Sequence, residues 1–193
     1  MINKMNPHCV FLVLVMVSAV LVGCGAPQGV SPDVTWKQKL RESVSLYGHR
    51  NWIVVADSAY PAQSRGGIET VVSGADHVAV VEAVLAAVAA SKHVRPIVYT
   101  DRELSFVREE DAPGISSYRQ KQGELLKGRE VNVLEHEKII SRLDEAGQTF
   151  RVLIIKTDMT LPYTSVFLQL DCGYWTAEAE KRLREAMATP RKD

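Results

Sequence analysis

The feature that most constrains this chain is a set of short, unbroken apolar runs set apart by longer helical stretches. Trp52–Ala56 (WIVVA) is apolar at every residue. Successive side chains of a strand point to opposite faces, so such a run needs cover on both sides. Pro96–Thr100, the short Val131–Leu134, Phe150–Lys156 and Ser165–Leu170 read as further strands. Between them the period changes from two to 3.6. Val34–Tyr47 places Trp36, Leu40, Val44 and Tyr47 on one helical face, with Gly48 as a stop. Asp76–Ala90 is a helix apolar almost all round that Asp76 can cap, and such a helix is expected to lie deep. Ser116–Lys127, Glu135–Ala146 (ending at Gly147) and the charged Thr176–Met187 complete the helices. The alternation predicts an α/β single domain with a mostly parallel central sheet flanked by helices.

The ends stand apart from this pattern. Cys9–Val22 is apolar except for Ser18, follows the lone cation Lys4 and His8, and is short for a span of about 20 residues. That is the layout of an export signal. Leu21-Val22-Gly23-Cys24 resembles the lipobox of bacterial lipoproteins, in which cleavage precedes the cysteine and the thiol is lipidated. An ordinary signal peptide or a short single-span anchor is the plainer alternative. The expected organisation is a signal over 1–23, a tether over 24–32, a folded body over 33–175 and a C-terminal helix and tail over 176–193. The chain is then expected outside the cytoplasm, lipid-anchored on the periplasmic side. Because Gly25 rather than aspartate follows Cys24, the outer membrane is favoured. Cys9 would leave with the signal and Cys24 would carry lipid, so Cys172 has no partner and reads as a small buried apolar residue.

Lys plus Arg and Asp plus Glu number 23 each, which removes any general electrostatic case for nucleic acid. No phosphate loop, dinucleotide glycine fingerprint, His-Glu-x-x-His zinc motif or Gly-x-Ser-x-Gly elbow is present. His136-Glu137 lacks a second histidine four residues on, so no metal site is expected there.

Two segments remain. One is Gly48-His49-Arg50-Asn51, the strand Trp52–Val55, and then Ala56-Asp57-Ser58-Ala59-Tyr60-Pro61; the other is Pro162-Tyr163-Thr164-Ser165-Val166. Together they resemble the D-ribose pyranase and L-fucose mutarotase family, with its Gly-His, apolar strand, Ala-Asp-Ala and proline turn, and its later Tyr-x-Asn segment. The resemblance runs from about Trp36 to Leu170. Ser165 stands where the family has asparagine, and Asp158-Met159 where it has a Gly-Glu pair. Serine lacks the forked donor and acceptor of an amide.

The resemblance implies a D-ribose pyranase-like fold and interconversion of ring forms or anomers of a free monosaccharide such as fucose or ribose. It implies no metal or organic cofactor, and a homo-oligomer with sites at subunit interfaces. Such chemistry needs one group to take the anomeric hydroxyl proton and another to protonate the ring oxygen. His49 is the expected acid/base, since imidazole exchanges protons near neutral pH; without its motif it would read as a helix-end histidine. Asp57 is expected to accept from sugar hydroxyls, or only to order the turn before Pro61. Tyr163 is expected to stack on the sugar beside Thr164 and Ser165, and His136 to donate to a hydroxyl. His77 and His93 read as helix-end residues, and Glu109-Glu110-Asp111 as a solvated loop. At about 3.3 Å per residue, His49 and Asp57 stand on the order of 15 to 25 Å apart, so a shared site needs a returning loop or another subunit. The other reading of the chain is a non-catalytic sugar-binding or scaffolding lipoprotein of the same fold.

Overall fold

The computed structural model describes residues 32–188. The signal, Cys24 and the tether before Pro32 lie outside the described residues. In chain order the elements are α1 (Pro32–Leu46), β1 (Trp52–Ala56), β2 (Ile68–Val72), α2 (His77–Ala89), β3 (Val94–Asp101), α3 (Ile115–Leu125), β4 (Val131–Leu134), α4 (His136–Thr149), β5 (Val152–Lys156), β6 (Val166–Cys172) and α5 (Ala177–Ala188). A short 3-10 turn, Arg102–Phe106, follows β3. The chain forms one α/β domain around a six-stranded sheet of order β2-β5-β1-β6-β3-β4. Five strands run in one direction; β6 alone is antiparallel, inserted between β1 and β3.

The unbroken apolar runs are explained by cover on both faces. Ile53 and Val55 of β1, with Leu153 and Ile155 of β5, face α1 and α2, meeting Trp36, Leu40, Val84 and Leu85. Trp52, Val54 and Ala56 face the other way, toward Ile139 and Leu143 of α4 and Phe167 of β6. A third, smaller cluster joins Leu104, Ala112, Ile115 and Tyr118 around α3. No helix among the described residues is long and apolar enough to cross a membrane.

The strand β2 is absent from the sequence reading. It lies at the sheet edge, so its pattern is mixed, with Glu69 and Val72 exposed, and it lacks the continuous apolar run of the central strands. Its register beside β5 depends on a close approach at Gly67. There the Gly67 carbonyl accepts from the Val152 amide at 2.9 Å. A methyl group on Gly67 would fall 2.2 Å from the Gly147 carbonyl oxygen. Gly147 does not end α4, which continues to Thr149; a side chain there would meet Ile68 at 2.8 Å. The run Glu109–Asp111 is an exposed loop, as expected, and one of its carboxylates is used by the next helix. Glu109 accepts from the amides of Gly114 and Ser116 and so caps α3, and those two bonds hold its carboxyl down at about 2.

Substitution Gly67→Ala is expected to cost about 3 kcal/mol, because the obstructing atoms are backbone and cannot rotate away. Chemical denaturation measures this directly. A loss below about 1 kcal/mol would mean that the α4 end and β2 are not pressed together as described.

Candidate functional site

Because β6 runs against its neighbours, the chain leaving β5 must pass over the end of β1 to start it. Thr157 makes that crossing tight. Its amide and hydroxyl both donate to the Ala56 carbonyl, at 2.9 and 2.8 Å, and the Ser58 amide donates to the Met159 carbonyl. The crossing loop therefore carries Tyr163 to the same sheet end as Asp57, which follows β1, and His136, which follows β4. Open α/β sheets hold ligands outside the carboxyl ends of their strands. A cleft of about 400 Å³ opens there, lined among others by Asp57, Tyr60, His136, Leu161 and Tyr163.

His136 is held from two directions, by the end of β3 and by the 3-10 turn after it. Its backbone amide donates to both carboxylate oxygens of Glu103, at 3.0 Å each. Its ring Nδ1 lies 3.1 Å from Oδ1 of Asp101. A carboxylate there is an acceptor, so Nδ1 carries the proton and Nε2 is left for the cleft. The hydrogen bond to Asp101 raises the His136 pKa above its ordinary 6.5. The Asp101 side chain is fully buried, which pushes its own pKa up, and its Oδ2 has no hydrogen-bond partner among the described residues. A buried oxygen left unpaired in this way is costly, which fits a group kept for its neighbour's sake.

Asp57 orders its turn and also stands at the cleft. Its Oδ1 accepts from the Ala59 amide at 2.9 Å, an Asx turn, and the residue also lines the cleft. Tyr163 presents its ring edge-on to His136, with centroids 5.7 Å apart, and its backbone is left-handed at φ 57°. Such a conformation carries a steric cost for a residue with a Cβ. Thr164 and Ser165 are buried and line no part of the cleft. The Thr164 hydroxyl donates to the Leu161 carbonyl at 3.0 Å, inside the crossing loop.

His49 is elsewhere. It is exposed before β1, at the opposite end of the sheet, where it lines a separate cleft with Arg50, Arg95, Asp171 and Trp175. Cys172 is free and half-buried on that side. Within one chain the structure brings together Asp57, His136 and Tyr163 and leaves His49 out. Among the described residues no group of three His, Cys, Asp or Glu side chains could hold a metal ion.

Sequence reasoning missed Asp101 and undervalued His77. The run VYTD ends in an aspartate at a strand's carboxyl end, one residue past the expected strand, and that was the available signal. His77 does begin α2, but it is only 1% exposed, and its Nε2 lies 2.8 Å from the Thr164 carbonyl. Burial lowers its pKa to about 4.

The sequence model of the RbsD / FucU transport protein family matches residues 34–172. The chain belongs to that family. Comparison with curated proteins finds no match. Among solved structures, Bacillus subtilis RbsD complexed with D-ribose aligns with a TM-score of 0.50 at 16% identity, over 69% of this chain and 91% of that one. The fucose mutarotase from Streptococcus pneumoniae, in complex with L-fucose, gives 0.46 at 20% identity, over 77% and 97%. FucU from Bifidobacterium longum gives 0.45 at 17%, over 69% and 92%. The fold is thus D-ribose pyranase-like. The RbsD / FucU match covers both His49 and the Asp57 cleft and stops at Cys172, so Tyr174, Trp175 and α5 lie beyond it.

The pKa values of His136 and His77 are shifted in opposite directions. In NMR, the His136 ring is expected to protonate above pH 6.5 and the His77 ring to stay neutral at pH 5. Because the folded pKa of His77 lies below its unfolded value, its contribution to stability is complete above pH 6.5 and is lost toward pH 4. The loss is about 3 kcal/mol. His136 works the other way, with a contribution complete below pH 6.5 and lost as pH rises through its raised value. A His77 ring that titrates near 6.5 would contradict the burial described.

Proposed function

We propose that the cleft of Asp57, His136 and Tyr163 binds a free monosaccharide and interconverts its ring forms or anomers. The observation that carries this reading is the His136–Asp101 pair, a histidine with one ring nitrogen fixed by a buried carboxylate and the other left for a ligand. Membership of the RbsD / FucU family and the D-ribose held by the Bacillus subtilis protein support a monosaccharide as ligand. In this reading His136 Nε2 takes the anomeric hydroxyl proton, Asp101 steadies the imidazolium so formed, and His49 of a second copy protonates the ring oxygen. Asp57 accepts from sugar hydroxyls through the oxygen its turn does not use, and Tyr163 offers an aromatic face. His49 reaches the same sugar only from a second copy of the chain, so the proposal includes a homo-oligomer in which opposite sheet ends meet. It also includes export and a lipid anchor at Cys24.

A specific observation favours the non-catalytic alternative. Ser165, in place of the family's asparagine, is buried and gives the cleft no side chain. A site lacking that contact could bind sugar without turning it over.

Exchange NMR on D-ribose, L-fucose and D-galactose separates the two. Wild type is expected to accelerate exchange of at least one sugar, and His136→Ala to lose about 100-fold of that acceleration. Asp101→Asn should shift the pH profile to lower values, since the hydrogen-bonded carboxylate is what raises the His136 pKa. Mixing inactive His49→Ala and His136→Ala chains should restore part of the activity if the two histidines meet across copies. Saturable binding with no acceleration by wild type would select the alternative. For the anchor, Cys24→Ser is expected to abolish metabolic labelling with a fatty-acid probe; persistent labelling would overturn that part.

A further inference from the structure

The Thr164 carbonyl lies in the protein interior and receives two side-chain donors from two different helices. His77 Nε2, from the first turn of α2, is 2.8 Å away, and the Tyr118 hydroxyl, from α3, is 2.7 Å away. A carbonyl oxygen only accepts, so Nε2 carries the His77 proton and Nδ1 is bare. That Nδ1 is buried and has no hydrogen-bond partner among the described residues. The two rings stack with centroids 5.6 Å apart and planes 6° from parallel, and Gln122 donates to the Tyr118 hydroxyl at 3.1 Å. None of these side chains lines the Asp57 cleft.

The residue directly before this clamped carbonyl is Tyr163, in its left-handed conformation. A non-glycine residue stays in that region only when its surroundings over-determine it. Here the surroundings are the two donors on Thr164, the Thr164 hydroxyl bond back to Leu161, and the packing of Met159 and Leu161 against Leu104, Ile115 and Tyr118. One stretch of chain, from Asp101 to Gln122, therefore serves both walls of the cleft. Its start holds His136 through Asp101 and Glu103, and its end holds the crossing loop through Tyr118 and Gln122.

We infer that His77 and Tyr118 are positioning residues that set the Tyr163 ring against the ligand by clamping the Thr164 carbonyl. This rests on the monosaccharide reading of the cleft for its functional consequence, but not for its structural one. Loss of a donor frees the peptide between Thr164 and Ser165 and with it the backbone of Thr164, so Tyr163, the residue before, leaves the left-handed region and its ring leaves the cleft. The effect falls on binding, since His136 is held by separate bonds.

The test has one readout without sugar and one with it. The first is the Tyr163 backbone conformation, from its coupling constant and carbon shifts in NMR of the full chain. The left-handed signature is expected in wild type and in His77→Gln, whose amide can still donate where Nε2 did, and is expected to be lost in His77→Leu and Tyr118→Phe. The second is exchange kinetics on whichever sugar the wild type accelerates. Tyr118→Phe and His77→Leu should raise KM about tenfold with kcat nearly unchanged, and His77→Gln should restore KM. A left-handed Tyr163 in both Tyr118→Phe and His77→Leu overturns the inference, as does a lowered thermal midpoint in both with unchanged KM. If wild type accelerates no sugar, the monosaccharide turnover reading fails, and the Tyr163 conformation still decides the clamp.

Discussion

Everything at the candidate site depends on one reversal of direction. A sixth strand inserted antiparallel between β1 and β3 cannot start where its neighbours start. The chain leaving β5 has to cross the carboxyl end of β1 before it turns down into β6. The crossing is not left loose, because Thr157 ties it to Ala56 and the Thr164 carbonyl ties it to α2 and α3. That is why a tyrosine seven residues beyond β5 can be aimed at a histidine that starts α4.

The same geometry divides the chain's histidines. His136 sits where strand ends, a buried carboxylate and a cleft coincide, and its proton affinity is raised by the bond to Asp101. His77 is neutral and serves as a donor from inside the core. His49 belongs to the other end of the sheet, beside exposed aromatic residues and a helix outside the family match. If His49 and His136 act on one molecule, they do so across two chains.

What was legible in the sequence follows from how strongly each element had to be coded. The central strands were readable because cover on both faces demands an unbroken apolar run, as in Trp52–Ala56 and in residues 152–155. The edge strand β2 had no such demand and went unread. Asp57 and Tyr163 were singled out through their motifs. Their meeting place was not, because nothing in the one-dimensional spacing reveals that β6 reverses and carries its leading loop across β1. Asp101 was invisible for a related reason. A single aspartate after a strand looks like a boundary residue, and only the fold shows that it is buried behind an imidazole. His77 looked like a helix-end polar residue because the donor it supplies is used by a carbonyl nearly ninety residues away.

The central claim is that sugar is handled at the carboxyl end of the sheet, on His136. Nitrogen-15 NMR of the histidine rings during titration with D-ribose or L-fucose tests it most directly. The account predicts that the His136 Nε2 signal moves saturably with sugar while its Nδ1 keeps the signature of a proton held by Asp101. A saturable shift in the His49 ring with no change at His136 would contradict it.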